Sequence, residues 1–323
     1  MIAGTGHAAP VRVMRNDEFP AIGIDTSDEW IRARTGIRER HVAGPGESLT
    51  SISTQASLHA MAAAGVSAAE LDMIIVGTCS PDRLLPSAAV ELQATLGASR
   101  AVAFDVGAAC SGWLYGMQVA EGMMAAGGAE TILVVGAELL TRIVNWKDRN
   151  TCVLFGDGAG AAILQHRENS HGLLTAVMGA DGNKADLLSM PGGGSACPAT
   201  LESVAAGLHY LRMDGKETFK NAVQAMVSAA HEAMRRCDVD ITKIKCVIPH
   251  QANQRIVDAV GERLKATPEQ LFINLHKYGN TSAASVAIAL DEAVHSGKVL
   301  RGDLILLVVF GAGLTWGAAV IEW

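Results

Sequence analysis

The side chains best suited to covalent chemistry are six cysteines, at positions 79, 110, 152, 197, 237 and 246. They form no CxxC pair and no Cys/His cluster at zinc-like spacing, which argues against a metal site or a disulfide framework and for free thiols. Cys110 is set apart by its neighbours: VGAACSGWLYG places it between an apolar strand and a long apolar helix. At a helix N-terminus the unpaired N–H groups and the dipole favour an anion, so a thiol there is expected to lose its proton more readily than a free one. That would make it a nucleophile. The structural alternative is a small, inert, buried side chain, which is the reading for the other five cysteines.

His250 closes the segment CVIPHQAN, at the C-terminal edge of a predicted strand, where open α/β sheets place their ligands. Imidazole exchanges a proton near neutral pH. The remaining histidines, at 7, 41, 59, 166, 171, 209, 231, 276 and 295, read as satisfied polar groups. Asn280 lies in KYGNTSAAS just before a predicted helix, and by itself a turn or cap role explains it. The glycines of GDGAGAAIL, Gly156–Leu164, lead into a strand-like run instead of a helix, and no GKS or GKT follows a glycine loop, so a nucleotide fingerprint is not indicated. A tight turn or close backbone packing is the simpler explanation.

These residues need elements to hold them, and the chain alternates short β-rich runs with Ala-rich helical stretches, the pattern of a layered α/β fold. Strands are expected at Met73–Val76, Ala101–Val106, Ile132–Val135, Ala161–Leu164, Cys246–Ile248 and Leu304–Val309. One helix is expected to begin near Cys110 and stop at Gly127-Gly128. Another should begin near Thr281 or Ser282, both good capping residues, and stop at Gly297. IIVGTCSPD, the helix at Cys110, ILVVGAE and AAIL are echoed by CVIPHQAN, the helix after Asn280, ILLVVFGAG and WGAAVI. That order points to an internal duplication. The join falls in the polar stretch His166–Gly172, dividing the chain into 1–169 and 170–323; Pro191–Thr200 reads as a Gly-rich surface loop.

Composition narrows the function classes. With 323 residues, 49% hydrophobic and 18% charged, the chain can bury one large core or two fused ones. The uncharged stretch Leu304–Ile321 is long enough for a membrane span, but Gly311, Gly313 and Gly317 interrupt it; two buried strands joined by a turn in FGAGLTWG are expected instead. MIAGTGHAAP has no signal-peptide pattern, so a cytoplasmic location is expected. The net charge of −7 gives no reason to expect nucleic acid, and disfavours an acidic partner unless a local basic patch overrides the field.

Six segments in order resemble the ketoacyl-acyl carrier protein synthase III family of thiolase-like condensing enzymes: DTSDEWIRARTGIRER at 25–40, AACSGW at 108–113, FGDGAGAA at 155–162, PHQANQRI at 249–256, GNTSAAS at 279–285 and FGAGLTWG at 310–317. The resemblance covers nearly the whole chain. It implies a thiolase-like fold of two duplicated halves layered α/β/α/β/α, with Cys110 in the first half and His250 and Asn280 in the second forming a catalytic triad. Cys110 would take an acyl group from acyl-CoA as a thioester. Malonyl-acyl carrier protein would then lose carbon dioxide, His250 and Asn280 stabilising the enolate, while the N–H groups of Cys110 and Ala312 stabilise the other oxyanion.

The resemblance also implies binding roles. Trp30, Arg34 and Arg149 match positions that grip the nucleotide end of CoA, and Lys220 and Arg255 match positions of carrier-protein docking, with Lys216 one turn from Lys220 on the same helix face. A homodimer is implied, and no cofactor or metal beyond the acyl-CoA substrate. Ala312 stands where members usually carry glycine, and Leu85 and Leu314 stand where short-chain members tend to carry phenylalanine, so a different acyl pocket and starter are expected. Three rivals stay open. The first is a related starter-unit synthase of biotin, polyketide or quinolone assembly using the same triad. The second is a cysteine hydrolase in which His250 deprotonates Cys110. The third is a non-catalytic acyl-binding protein.

Overall fold

The computed structural model describes residues 1–166 and 172–323. The expected join between the halves, and His171, lie outside the described residues. Among the described residues, nine principal strands form two sheets. The first contains β1 (Ile2–Ala8), β2 (Met73–Gly77), β3 (Val102–Val106), β4 (Thr131–Leu139) and β5 (Asp157–Gln165), in the order β1-β5-β4-β2-β3. The second contains β6 (Leu173–Ala180), β7 (Ile244–Pro249), β8 (Leu304–Gly311) and β9 (Thr315–Glu322), in the order β6-β9-β8-β7. A parallel bridge from Val247 to Leu271 lies beside β7, where β3 lies beside β2, so the two sheets repeat one topology.

The strands read as continuous apolar runs because both faces of each sheet are covered. In β2 Met73 and Ile75 face the interior between the sheets and Ile74 and Val76 face outward; in β8 Ile305, Leu307 and Val309 face inward and Leu306 and Val308 outward. Each such aliphatic side chain contributes roughly 2 kcal/mol relative to exposure. Two helices fill the centre, α4 (Gly112–Ala125) and α7 (Ala284–His295). Outside the first sheet lie α2 (Leu49–Ala64) and α3 (Ala88–Leu96), and outside the second lie α5 (Gly215–Arg236) and α6 (Gln254–Leu264); α1 (Asp28–Thr35) packs near α6. The result is the five-layer α/β/α/β/α arrangement that the resemblance implies.

Several boundaries differ from the sequence reading for identifiable reasons. The strand expected at Ala161–Leu164 begins at Asp157, so Gly158 and Gly160 lie inside it. A Cβ on Gly160 would fall 2.5 Å from the Cβ of Ala287, so these glycines serve the close approach of α7 to the sheet. Leu304–Ile321 folds as β8 and β9, paired antiparallel around a turn at 312–314. No helix among the described residues is long and apolar enough to cross a membrane. The helix expected at Thr281 or Ser282 starts at Ala284 and carries no side-chain cap: the Ser282 hydroxyl is directed to Glu138 instead.

Candidate active site

The expected nucleophile, Cys110, is built at the junction of β3 and α4. Cys110 is the middle residue of a single 3-10 turn, Ala109–Ser111, and α4 itself begins at Gly112. Ala109 holds a left-handed φ of 45°, a conformation costing a non-glycine residue about 1–2 kcal/mol, and the surroundings fix it there. The Oγ1 of Thr315 donates to the Ala108 carbonyl at 3.0 Å and lies 3.2 Å from Ser111 Oγ, tying the β8–β9 turn to this one. Gly311 approaches so closely that a Cβ would fall 2.7 Å from the Cys110 nitrogen. Ala312 therefore follows directly beside the Cys110 backbone, and it is not among the residues with positive φ, so alanine is accommodated without strain.

Burial reverses the expectation for the thiol. Removal from water pushes Cys110 up to about 12, and the Glu138 carboxylate adds to the rise. A helix N-terminus in a dry interior does not suffice to ionise the free enzyme's thiol. His250 moves the other way: burial lowers it to about 4, so its imidazole is neutral at physiological pH.

His250 follows the last residue of β7. Its Nδ1 lies 2.6 Å from the Ser285 hydroxyl, which also accepts the Gln251 N–H at 3.4 Å; in the tautomer in which that hydroxyl donates to Nδ1, the proton of the neutral ring sits on Nε2. Gln251 braces the segment, donating to Pro249 and Phe272 carbonyls and accepting the N–H groups of Asn274 and Leu275. Asn280 is held by backbone pairing with Leu154 and Gly156, an approach open because Gly156 presents no Cβ to the Tyr278 carbonyl. Its Oδ1 accepts the Ser282 N–H at 2.8 Å, which leaves the amide N–H2 as the end available to a ligand.

Cys110, His250 and Asn280 line one cavity of about 140 Å³, with Phe155, Met226 and Phe310 among its apolar walls. A thiol, a neutral imidazole and an amide donor thus converge in a mostly apolar space, an arrangement able to form a thioester and, with the imidazole proton on Nε2, to hold a developing enolate oxygen. Three polar residues around this cavity escaped the sequence reading. Ser285 and Ser282 were hidden in GNTSAAS as ordinary helix-start residues. Glu138 was hidden at the end of ILVVGAE, where the signal was a lone carboxylate closing a strand otherwise free of charge.

The residues expected to bind substrates fall in three places. Trp30 lies under two guanidinium groups, Arg34 at 4.9 Å and Arg149 at 4.7 Å from the ring centroid. They border a surface cavity of about 870 Å³ that also reaches Lys216 and Arg255. Lys220 is exposed one turn further along α5, and Arg255 opens α6 with its guanidinium 5.7 Å from the Phe219 ring. Leu85 and Leu314 are not brought together: Leu85 is 85% exposed, whereas Leu314 is buried and borders a separate cavity of about 240 Å³. Neither lines the Cys110 cavity within one chain.

Comparison with known proteins gives a consistent picture. Residues 104–182 match the family profile described as 3-oxoacyl-[acyl-carrier-protein] synthase III, and residues 234–323 match its C-terminal counterpart. A beta-ketoacyl-[acyl-carrier-protein] synthase III of Caldanaerobacter subterraneus subsp. tengcongensis is 50% identical over 322 residues, covering 100% of this chain and 97% of the relative. The crystal structure of the 3-oxoacyl-[acyl-carrier-protein] synthase III from Aquifex aeolicus superposes with a TM-score of 0.93 at 44% identity, covering 100% of this chain and 99% of that one. The priming beta-ketosynthase of the R1128 polyketide pathway superposes with a TM-score of 0.92 at 35% identity, covering 99% of this chain and 95% of that one.

Proposed function

The chain belongs to the 3-oxoacyl-[acyl-carrier-protein] synthase III family, and from that premise we propose that it is the acyltransferase joining an acyl-CoA starter to malonyl-acyl carrier protein, initiating fatty acid synthesis through an acyl-Cys110 intermediate. The observation that carries the assignment of roles is the single cavity lined by Cys110, His250 and Asn280. The Cys110 sulfur attacks the starter thioester, giving up its proton as the new C–S bond forms, and CoA departs as the thiol. Malonyl-carrier then enters the same cavity and loses carbon dioxide. The resulting enolate oxygen accepts hydrogen bonds from His250 Nε2 and Asn280 Nδ2, and its carbon attacks the acyl-Cys110 carbonyl. The Cys110 and Ala312 N–H groups serve the tetrahedral oxyanion of each step.

The Trp30, Arg34 and Arg149 cluster is the site for the CoA nucleotide. Arg149 and Trp30 leave no room for a base between them in the free protein, so adenine enters by displacing a guanidinium from the indole. Lys220 and Arg255, with Lys216, provide the basic patch by which an acidic protein attracts an acidic carrier. A homodimer belongs to the same reading: β3 is an edge strand whose Val102 is 58% exposed, and Leu84 and Leu85 stand out in solvent, an apolar margin suited to a second copy. Leu85 would then close the partner's acyl pocket. The protein works in the cytoplasm with no resident cofactor, and the two halves 1–169 and 170–323 arise by duplication, which the repeated strand order supports.

The likeness to a polyketide priming synthase keeps one second reading, a starter unit destined for another acyl chain. Acetyl-, butyryl-, branched and longer acyl-CoAs are incubated with the protein, the acylated protein is weighed intact, and malonyl-carrier is then added. Acyl mass on Cys110 followed by a ketoacyl-carrier product supports the assignment. Release of free acid without consumption of malonyl-carrier would identify a hydrolase, and absence of any acyl adduct a binding protein.

A further inference from the structure

Glu138 is fully buried at the end of β4, yet it has no step to perform in the two-step scheme. Ile132, Val134, Gly136 and Glu138 alternate along that strand and share the face turned to the central layer, where Ile132 and Val134 join the core. The last two of them receive the loop that carries Asn280. A Cβ on Gly136 would collide with the Ala283 carbonyl, and Glu138 Oε1 accepts the Ser282 hydroxyl at 3.0 Å. The carboxylate is anchored by its own half. Thr78 Oγ1 donates at 3.3 Å, the Cys79 N–H at 3.2 Å and the Cys79 thiol at 3.3 Å; the Ser80 hydroxyl also donates, and accepts the Leu139 N–H at 2.8 Å. All the groups directed at Glu138 donate, so the site is built for a carboxylate as acceptor.

We infer that Glu138 is a positioning residue for Asn280, acting through the Ser282 hydroxyl. The inference rests on the assignment of Asn280 as a donor to the enolate. Ser282 has a left-handed φ of 46°, a conformation that a residue with a Cβ adopts when its surroundings hold it there. In that conformation its N–H reaches Asn280 Oδ1 at 2.8 Å while its hydroxyl reaches Glu138. One residue thus holds the amide oxygen on one side and the first half's carboxylate on the other. With Oδ1 occupied, the amide shows its Nδ2 end, a donor, to the cavity; turned by half a rotation it would show an acceptor, which repels an enolate oxygen. The first half also holds Asn280 by backbone, its N–H on the Leu154 carbonyl and its carbonyl on the Gly156 N–H. Those bonds fix the chain and leave the amide free to rotate. The contact between Glu138 and Ser282 supplies the missing constraint across the boundary of the halves, so a donor from the second half faces the cavity it shares with Cys110 of the first.

A contact that orients a transition-state donor acts on one step, whereas a general support of the fold acts on both. Each protein is acylated with acetyl- or butyryl-CoA and the rate is followed by intact mass; the acyl-enzyme, freed of CoA, is then mixed with malonyl-carrier in a single-turnover assay. Ser282→Ala removes the hydroxyl and keeps the N–H. It is expected to slow condensation about tenfold, the scale of losing an orienting partner, with acylation within a few-fold of wild type. In steady state, kcat and kcat/KM for malonyl-carrier should fall together at unchanged KM, as for a contact made in the transition state alone. Glu138→Gln sets an amide N–H2 among the donors and should lower condensation in the same way; Ser282→Ala carries the test if the Gln variant does not fold. In an Asn280→Ala background, Ser282→Ala should cost nothing further, because the group it orients is gone. Equal losses in both backgrounds, equal losses in acylation and condensation, or condensation by Ser282→Ala at the wild-type rate would overturn the inference. Condensation at the wild-type rate by Asn280→Ala alone would instead overturn the donor assignment beneath it.

Discussion

The Nδ1 of His250 lies 2.6 Å from the hydroxyl of Ser285, one residue into the central helix α7, so the second half's core helix orients the imidazole. Ser285→Ala removes the group that fixes the tautomer with its proton on Nε2. Condensation should fall about tenfold, the lower end of losses seen when a partner orienting a functional histidine is removed, while acylation of Cys110 stays near the wild-type rate. Single-turnover assays of each step separate the two; equal losses would show that Ser285 supports the fold generally.

Removing the enolate donors themselves should cost more. His250→Ala and Asn280→Ala should still form acyl-Cys110, and each should lower condensation by about 100-fold or more, as when one oxyanion donor is lost. Cys110→Ser should lose both steps, because a neutral hydroxyl is a far weaker nucleophile than a thiolate. Condensation near wild-type rate in either donor variant would remove that residue from the mechanism.

The buried imidazole also predicts a pH signature in stability. His250 is lowered to about 4 in the folded protein, below its ordinary 6.5, so between those values the unfolded chain binds the proton and the folded one does not. Stability tied to this group is therefore complete above about pH 6.5 and falls as pH drops through the window, by about 3 kcal/mol in total. His250→Gln should flatten that part of the curve. Denaturant unfolding of both proteins from pH 7 to 4 checks it, and parallel curves would contradict it.

The raised thiol predicts slow background chemistry. Because burial holds Cys110 up to about 12, its alkylation by iodoacetamide should keep rising with pH and show no plateau below about pH 10, unlike an activated thiolate that saturates near neutrality. A plateau near pH 7 would show that the interior ionises the thiol before substrate arrives.

The two substrates should be separable on the surface. Lys220→Glu with Arg255→Glu should raise KM for malonyl-carrier severalfold and leave acylation by acyl-CoA much less affected, and added salt should mimic it. Trp30→Ala should do the reverse, raising KM for acyl-CoA about tenfold through lost stacking. Leu85→Phe should move starter preference toward acetyl, since an aromatic ring takes up room for roughly one or two methylenes, each worth about 0.8 kcal/mol when buried. An unchanged starter profile would exclude Leu85 from the pocket.

Much of this protein is legible along the chain because its chemistry is marked by local pattern. Continuous apolar runs such as MIIVG and LILLVVFG announce strands covered on both faces, AACSGW and GNTS lead into the central helices and PHQAN follows a strand end, so the layers and the three candidate side chains can be read from them. Leu85 and Leu314 show the limit. Their residue types suggest a pocket, but one is exposed and the other borders a different cavity, because a pocket wall depends on backbone direction and on neighbouring chains. Protonation depends even more on the fold. The motif around Cys110 reads as a helix start that would favour a thiolate, and only the folded interior decides otherwise, by excluding water and by bringing close the Glu138 carboxylate, itself paired with Ser282, 144 residues further along the chain. Desolvation and Coulomb energy depend on distance in space, and distance along the chain does not encode it.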